Sequence, residues 1–432
     1  MHKWILIKGM ILNPQSDKSC EFIKEGVLIL KKGKDKYTIA DYGRRSLIND
    51  YEKKRSLKVV DHSDSLIIPG LLDLHFHWVQ KDVTSMPKDN LLKWLENFTW
   101  PTEANFKDKK YCNSEAKEFS YELIRNGTLG GACYGSIHSH SVDAAFKYFK
   151  GDYFVGNVLM TMNSPEYLIQ TQKQAKTLLD KLSAKYKKNY VVTPRFAPTT
   201  DEEVMRHGSK VQKKCKGLIQ SHLCETKNEI DWVLSIYRER KGFEDVTSYS
   251  DIYHRCGLLG EKTIMGHGIY LSKEDMQLLK KTNTAIAHCP TSNAPVKDKG
   301  LGSGLFDFKQ AEKNKLRWGL GSDIGAGPFV SMLDVMDSFV KQNKKIGNKA
   351  ATYTKALYRS TLKNAEILGI DQNTGNFDLG KRANLVVLKP LKLSASIKTS
   401  EQALNEFFKA IKSREEFRQA VTEVFYEGQV IS

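Results

Sequence analysis

Short apolar runs alternate along this chain with longer stretches of helical spacing, and the two ends carry a different pattern from the middle. Over residues 1–68, apolar and polar positions alternate in pieces such as Trp4-Ile5-Leu6-Ile7 and Gly26-Val27-Leu28-Ile29-Leu30, separated by turn residues, which predicts a small antiparallel β domain. Matching pieces recur at 384–388 and 424–431, so both ends are expected to build one β-sandwich, 1–68 with 372–432. Between them lie eight apolar runs, at 66–77, 129–136, 153–160, 190–196, 217–222, 263–267, 284–288 and 317–323, alternating with helical periodicity. Repeated β-α units of this kind predict an α/β chain with a TIM-like (β/α)8 barrel over 69–371. The stretch 78–110 is too long for an ordinary βα loop and contains a short amphipathic piece at 91–95. It reads as a lid, closed by Trp94 and Trp100.

The polar residues with chemical potential fall at the carboxyl ends of these runs, the face on which such barrels place their active sites. His75 and His77 are two apart on a strand and point the same way, so both imidazoles reach one place above the barrel. His222 ends the fifth run, and Asp323 ends the eighth, beside the first once the barrel closes. His75, His77, His222 and Asp323 therefore make a candidate metal site that leaves a position open for water. A divalent ion there lowers the pKa of water from ~15.7 to about 7. Imidazole and carboxylate donors suit one Zn²⁺ per chain, with Fe²⁺ as the alternative. Glu225, three residues after His222, is placed to take a proton as general base and return it as acid; the plainer alternative is a carboxylate in the first turn of a helix. His267, at the end of the sixth run, is read as polarising the substrate, with a metal contact as the second choice. His138, His140 and His288 also follow predicted strands without a partner arrangement, and His2, His62, His207 and His254 carry no pattern.

Composition narrows the picture rather than changing it. The first twelve residues contain Lys3 and Lys8 and lack a small-residue cleavage site, so they read as a strand and not a signal peptide. Seven cysteines without any C-x-x-C pair indicate neither a disulfide framework nor a thiolate zinc site, and a cytoplasmic location is expected. The formal charge is +17, from 67 Lys plus Arg against 50 Asp plus Glu, but the lysines are dispersed and not interleaved with aromatics. Neither a nucleic-acid nor a membrane partner is expected. Walker, H-E-x-x-H and G-x-S-x-G sequences are absent, and so is the H-x-E with P-C-x-x-C of cytidine-deaminase zinc sites.

The run PGLLDLHFH at 69–77, with the distant His222, His267 and Asp323, resembles the amidohydrolase superfamily. Within it, LLKWLENFTWPTE (91–103), TPRFAPT (193–199), SHLCE (221–225), AHCPTSN (287–293) and GLGSDIGAG (319–327) resemble the guanine deaminase family. The resemblance implies guanine as substrate, hydrolysed at C2 to xanthine and ammonia, with Gln80 and Arg195 hydrogen-bonding the base and Phe196 packing on its ring. From the residues alone, Arg195 could equally be a structural cation and Phe196 a core aromatic. The resemblance further implies that Glu225 protonates a ring nitrogen and then the leaving amine, that His267 and Asp323 orient the nucleophile and take its proton, and that the chain forms a homodimer. The rival reading is an amidohydrolase acting on another purine, a pterin or a triazine.

Overall fold

The computed structural model describes residues 2–54, 56–88 and 91–432. Met1, in the expected first strand, and Asp89 and Asn90, in the expected lid, lie outside the described residues. Strands β1 (Trp4–Ser16), β2 (Ser19–Lys32), β3 (Tyr37–Arg44) and β4 (Leu57–Pro69) join β13 (Leu385–Pro390), β14 (Val421–Tyr426) and β15 (Gln429–Val430) in a seven-stranded sheet of order β15-β14-β13-β4-β1-β2-β3. Both chain ends thus contribute to one sheet, as the alternating patterns predict. Period-two alternation sorts its side chains onto two faces. Ile5, Ile7 and Ile11 join a cluster with Leu28, Leu30 and Leu385, while Leu6, Val27 and Ile29 belong to another. One expectation is corrected: the sheet is mixed, because β1 pairs with β4 in parallel, from Trp4 opposite Leu57 to Ile11 opposite Ile67. The connection from β2 to β4 contains β3, so the chain returns to β1 by a crossover rather than a hairpin, and a crossover brings a strand back parallel.

After Pro69 and Gly70 the chain enters the second sheet. Its eight strands are β5 (Leu71–Phe76), β6 (Thr128–Gly135), β7 (Asp152–Leu159), β8 (Val191–Pro194), β9 (Leu218–Leu223), β10 (Thr263–His267), β11 (Ala285–His288) and β12 (Arg317–Leu320), in sequential order. The pairings, such as Ile264 with Ala285 and Ala287 with Gly319, are parallel. Every residue of β5, β6, β8, β10 and β11 is buried, as expected of strands covered on both faces. At the carboxyl ends the two outer strands meet, where the Asp323 N–H donates to the His75 carbonyl at 2.7 Å. This is the predicted barrel, with each of the eight apolar runs supplying one strand. The first run differs in one respect: its opening residues, 66–69, end β4 of the chain-end sheet, and Gly70 separates them from β5.

Two compact units are distinguished along the chain. One comprises Met1–Asp73, Tyr121–Gly130 and Ser331–Ser432, and the other Leu74–Ser120 and Gly131–Val330. The second unit includes the long connection after β5. It is a series of short turns: a 3₁₀ helix at Trp78–Val83, an α-turn at Leu91–Trp94, a π-helix at Leu95–Thr99 and an α-helix at Trp100–Ala104. Trp94, Leu95 and Trp100 bury their rings and side chains in one apolar cluster with Tyr134, Met160 and Leu301. Among the described residues no helix is long and apolar enough to cross a membrane.

Candidate functional site

All the candidate site residues belong to the second unit, and each is placed by a strand end or by the segment after β5. His75 lies within β5 and His77 just beyond it, both almost fully buried. Two glycines make room for the His75 ring and backbone. A Cβ on Gly266 would stand 2.5 Å from His75 Cε1, and one on Gly321 would stand 2.9 Å from the His75 nitrogen. Gly266 and Gly321 are therefore steric requirements of the strand ends around His75. His222 in β9 gives its Nδ1 to the Arg195 carbonyl at 2.5 Å, which leaves Nε2 facing inward as a lone pair. Asp323 and His267 adopt left-handed backbone, with φ of 49° and 71°, at positions where side chains are normally disfavoured.

These groups converge. One donor atom from each of His75, His222, His267 and Asp323 lies within 4.8 Å of the others. His77 Nε2 is 3.1 Å from His222 Nε2 and 3.5 Å from Asp323 Oδ1, and His75 Nε2 is 3.4 Å from the same oxygen. Donors held about 2.1 Å from one tetrahedral ion sit roughly 3.4 Å apart, so the spacing fits a single divalent cation. Nε2 of His267 is buried with no hydrogen-bond partner among the described residues, which also fits a nitrogen turned to a cation. Burial pushes His75, His77 and His222 towards neutral imidazole, the form that ligates. Burial alone would raise Asp323, but the surrounding imidazoles, His75 first, bring it down to about 2. Its Oδ2 accepts from the Ser292 hydroxyl at 2.7 Å, so Oδ1 is the oxygen turned to His75 and His77.

Glu225 lies beside this cluster. Its Oε1 accepts from Ser303 Oγ at 2.9 Å and from Asn293 Nδ2 at 3.3 Å, and its Oε2 stands 3.5 Å from His267 Nε2. Burial raises the Glu225 pKa, while the nearby His267 works in the opposite direction. Burial likewise disfavours charge on His267, but the carboxylates of Glu225 and Asp323 outweigh it and hold its pKa above the ordinary value. A carboxyl that holds a proton readily and an imidazole 3.5 Å away form a pair able to relay one. The Asn293 side chain also meets His267 Nδ1, its amide nitrogen at 3.1 Å and its oxygen at 3.5 Å, fixing the ring.

The base-recognition candidates line the same cavity as Glu225 and His267. Gln80 Nε2 donates to Glu103 Oε1 at 2.7 Å, and Arg195 Nη1 donates to Glu103 Oε2 at 2.6 Å. Phe196 packs tilted against Trp232 with ring centres 5.9 Å apart. Gln80, Arg195 and Phe196 line one cavity together with His77, Trp94, Glu225 and Asp323. Trp94 reaches the cavity; Trp100 lies in the apolar cluster beneath it. Reading the residues one at a time did not single out Glu103, Ser292, Asn293 or Ser303. The first three lie inside the resembling segments 91–103 and 287–293, whereas Ser303 sits in a loop that carries no pattern. His288 is buried at the end of β11, where burial holds its pKa near 3, and its ring packs on Phe306. His138 and His140 begin the helix after β6, and His62 and His207 pair with Glu423 and Asp180.

Residues 66–430 match the profile of the amidohydrolase family. The guanine deaminase of Escherichia coli strain K12 is 35% identical over 396 residues, covering 90% of this chain and 86% of that one. The guanine deaminase of Homo sapiens is 30% identical over 355 residues, covering 78% and 75%. Among solved structures, the E. coli guanine deaminase superposes with a TM-score of 0.86 at 28% identity, covering 100% of this chain and 99% of that one. The guanine deaminase of C. acetobutylicum, with guanine bound in its active site, gives 0.86 at 27% identity, covering 99% and 100%.

Proposed function

The chain belongs to the amidohydrolase family, and on that premise we infer that it deaminates guanine by hydrolysis, giving xanthine and ammonia. The observation that carries this reading is the cavity itself. Imidazoles and a carboxylate with Glu225 line it together with Gln80, Arg195 and Phe196. His75, His77, His222 and Asp323 would hold a divalent ion, and the geometry adds His267 to the available donors. Nitrogen donors with one carboxylate suit Zn²⁺ first and Fe²⁺ second. Such an ion, when bound, brings the pKa of a water down to about 7 and so supplies a nucleophile at neutral pH.

The remaining roles belong to the protein. Phe196 packs against the purine ring, and Arg195 and Gln80 hydrogen-bond its polar edge, which sets C2 against the Glu225 wall. Asp323 and His267 orient the attacking water, and Asp323 takes its proton. Glu225, held through Oε1 by Ser303 and Asn293, delivers a proton to the ring nitrogen beside C2, regains one from the new C2 hydroxyl as the carbonyl forms, and gives that one to the departing amine. The proton held by Asp323 returns to Glu225 for the next cycle. Water supplies the new C–O bond, the C2–N bond breaks, and the amine leaves as ammonia. The Trp78–Ala104 segment, with Leu91, Trp94 and Leu95 on the cavity, excludes bulk water from this exchange. A homodimer and a cytoplasmic location are parts of the same proposal, carried by the resemblance; sedimentation of the purified chain tests the first.

The deciding measurement is ammonia release from zinc-loaded protein on guanine, adenine, cytosine, guanosine and a triazine, each with a chelated control. Chelator-sensitive release from guanine alone is expected. Release from a different ring instead would keep the metal chemistry and overturn the roles given to Gln80 and Arg195.

A further inference from the structure

Glu103 takes no part in the roles above, yet it is completely buried, and both its oxygens are engaged by the two side chains that face the base. We propose that Glu103 is a positioning residue that sets the hydrogen-bond polarity of the recognition wall and so selects a lactam edge, N–H beside C=O, on the bound ring. This rests on the guanine reading and adds to it the group that enforces selectivity.

An ionised carboxylate only accepts hydrogen bonds. Paired with the Arg195 guanidinium, Glu103 can therefore face only the NH₂ end of the Gln80 amide; a flipped amide would set oxygen against oxygen inside a buried site. Gln80 Oε1 is consequently turned away from Glu103. It fits there because residue 325 is glycine: a Cβ at that position would stand 2.4 Å from Oε1. Neither Gln80 Oε1 nor Arg195 Nη2 and Nε has a hydrogen-bond partner among the described residues, and both side chains line the cavity. The wall thus offers one acceptor next to several donors, the complement of a lactam. A ring nitrogen without hydrogen would meet Gln80 Oε1 acceptor to acceptor.

A buried Arg–Glu pair could also serve simply to anchor the helix Trp100–Ala104, and the test separates the two roles. Hypoxanthine keeps the lactam but lacks the reacting amine, whereas purine lacks both, so their binding reports recognition without turnover. Titration calorimetry is done on the zinc-loaded full chain and on Glu103→Gln, whose neutral amide can donate as well as accept and so frees Gln80 to turn. The wild type is expected to favour hypoxanthine on the order of 10³-fold, as sites built around a polar edge do. Glu103→Gln is expected to reduce that preference to about tenfold or less, by weakening hypoxanthine far more than purine. Equal weakening of both ligands, with the preference intact, would mark a structural anchor and overturn the proposal, as would a wild type with no preference. Should Glu103→Gln fail to fold, Glu103→Asp, which retains an acceptor-only carboxylate, is read on the same pair: a retained preference supports the proposal and a lost one overturns it. Guanine turnover is scored separately. Hypoxanthine selectivity lost in Glu103→Gln, without wild-type turnover of guanine, overturns the guanine reading and leaves the role of Glu103 standing.

Discussion

On one wall of the cavity the donors sit at or just beyond the ends of β5, β9, β10 and β12, whereas on the other Gln80 and Glu103 come from the irregular segment after β5 and only Arg195 and Phe196 follow a barrel strand. The first wall is placed by backbone: ladder hydrogen bonds hold each strand end, and Gly266 in β10 and Gly321 just after β12 leave room for His75. The second is placed by side chains, through one buried carboxylate that bridges Gln80 and Arg195. The difference separates two kinds of precision. Chemistry that needs donors fixed to a few tenths of an ångström is mounted on the sheet, and recognition is mounted on a segment able to vary without disturbing it.

If that division holds, damage to the strand-end wall should remove turnover, and damage to the other should shift substrate affinity. The largest effect is expected from His75→Ala, which removes a donor and leaves a buried space among charged groups; metal analysis should find under one ion per chain and ammonia release should fall to background. Next, Glu225→Gln should keep its metal and lose about 10² to 10⁴ in kcat, and near-normal turnover would remove Glu225 from the mechanism. Ser292→Ala leaves all the donors in place but frees Asp323 Oδ2, so metal affinity, measured by competition with a chelator, should weaken about 10- to 100-fold. Smallest is Phe196→Leu, expected to raise KM for guanine by up to about tenfold with kcat nearly unchanged, since it removes ring packing and no charge. A fall in kcat with unchanged KM in that variant would break the comparison, because it would put the second wall into the chemical step.

The two walls also differ in how far they could be read in advance. HFH at the end of an apolar run displays two candidate ligands directly, because residues two apart on a strand share a face. His222, His267 and Asp323 were legible in the same way, as polar residues closing predicted strands. The role of His267 shifted in emphasis, since the structure brings it among the metal donors as well as beside Glu225. Glu103 had no comparable signature. It lies 23 residues from Gln80 and 92 from Arg195, on a short helix whose start is a π-helix, and no periodicity links the three. The parallel pairing of β1 with β4 was hidden for a related reason: alternation tells which residues share a face, not which way a partner strand runs.

The sequence by itself determined that eight buried strands would alternate with helices, that both ends would share a sheet, and that imidazoles and carboxylates would stand at strand ends. Those features are local, written in periods of two and 3.6 and in the residue that closes each run. Only the tertiary structure decided which oxygen of Asp323 faces the imidazoles, which end of the Gln80 amide faces the cavity, and that one buried carboxylate governs the latter. Each of these depends on hydrogen-bond partners from distant parts of the chain, and a buried polar group takes its orientation from whatever partner the fold supplies.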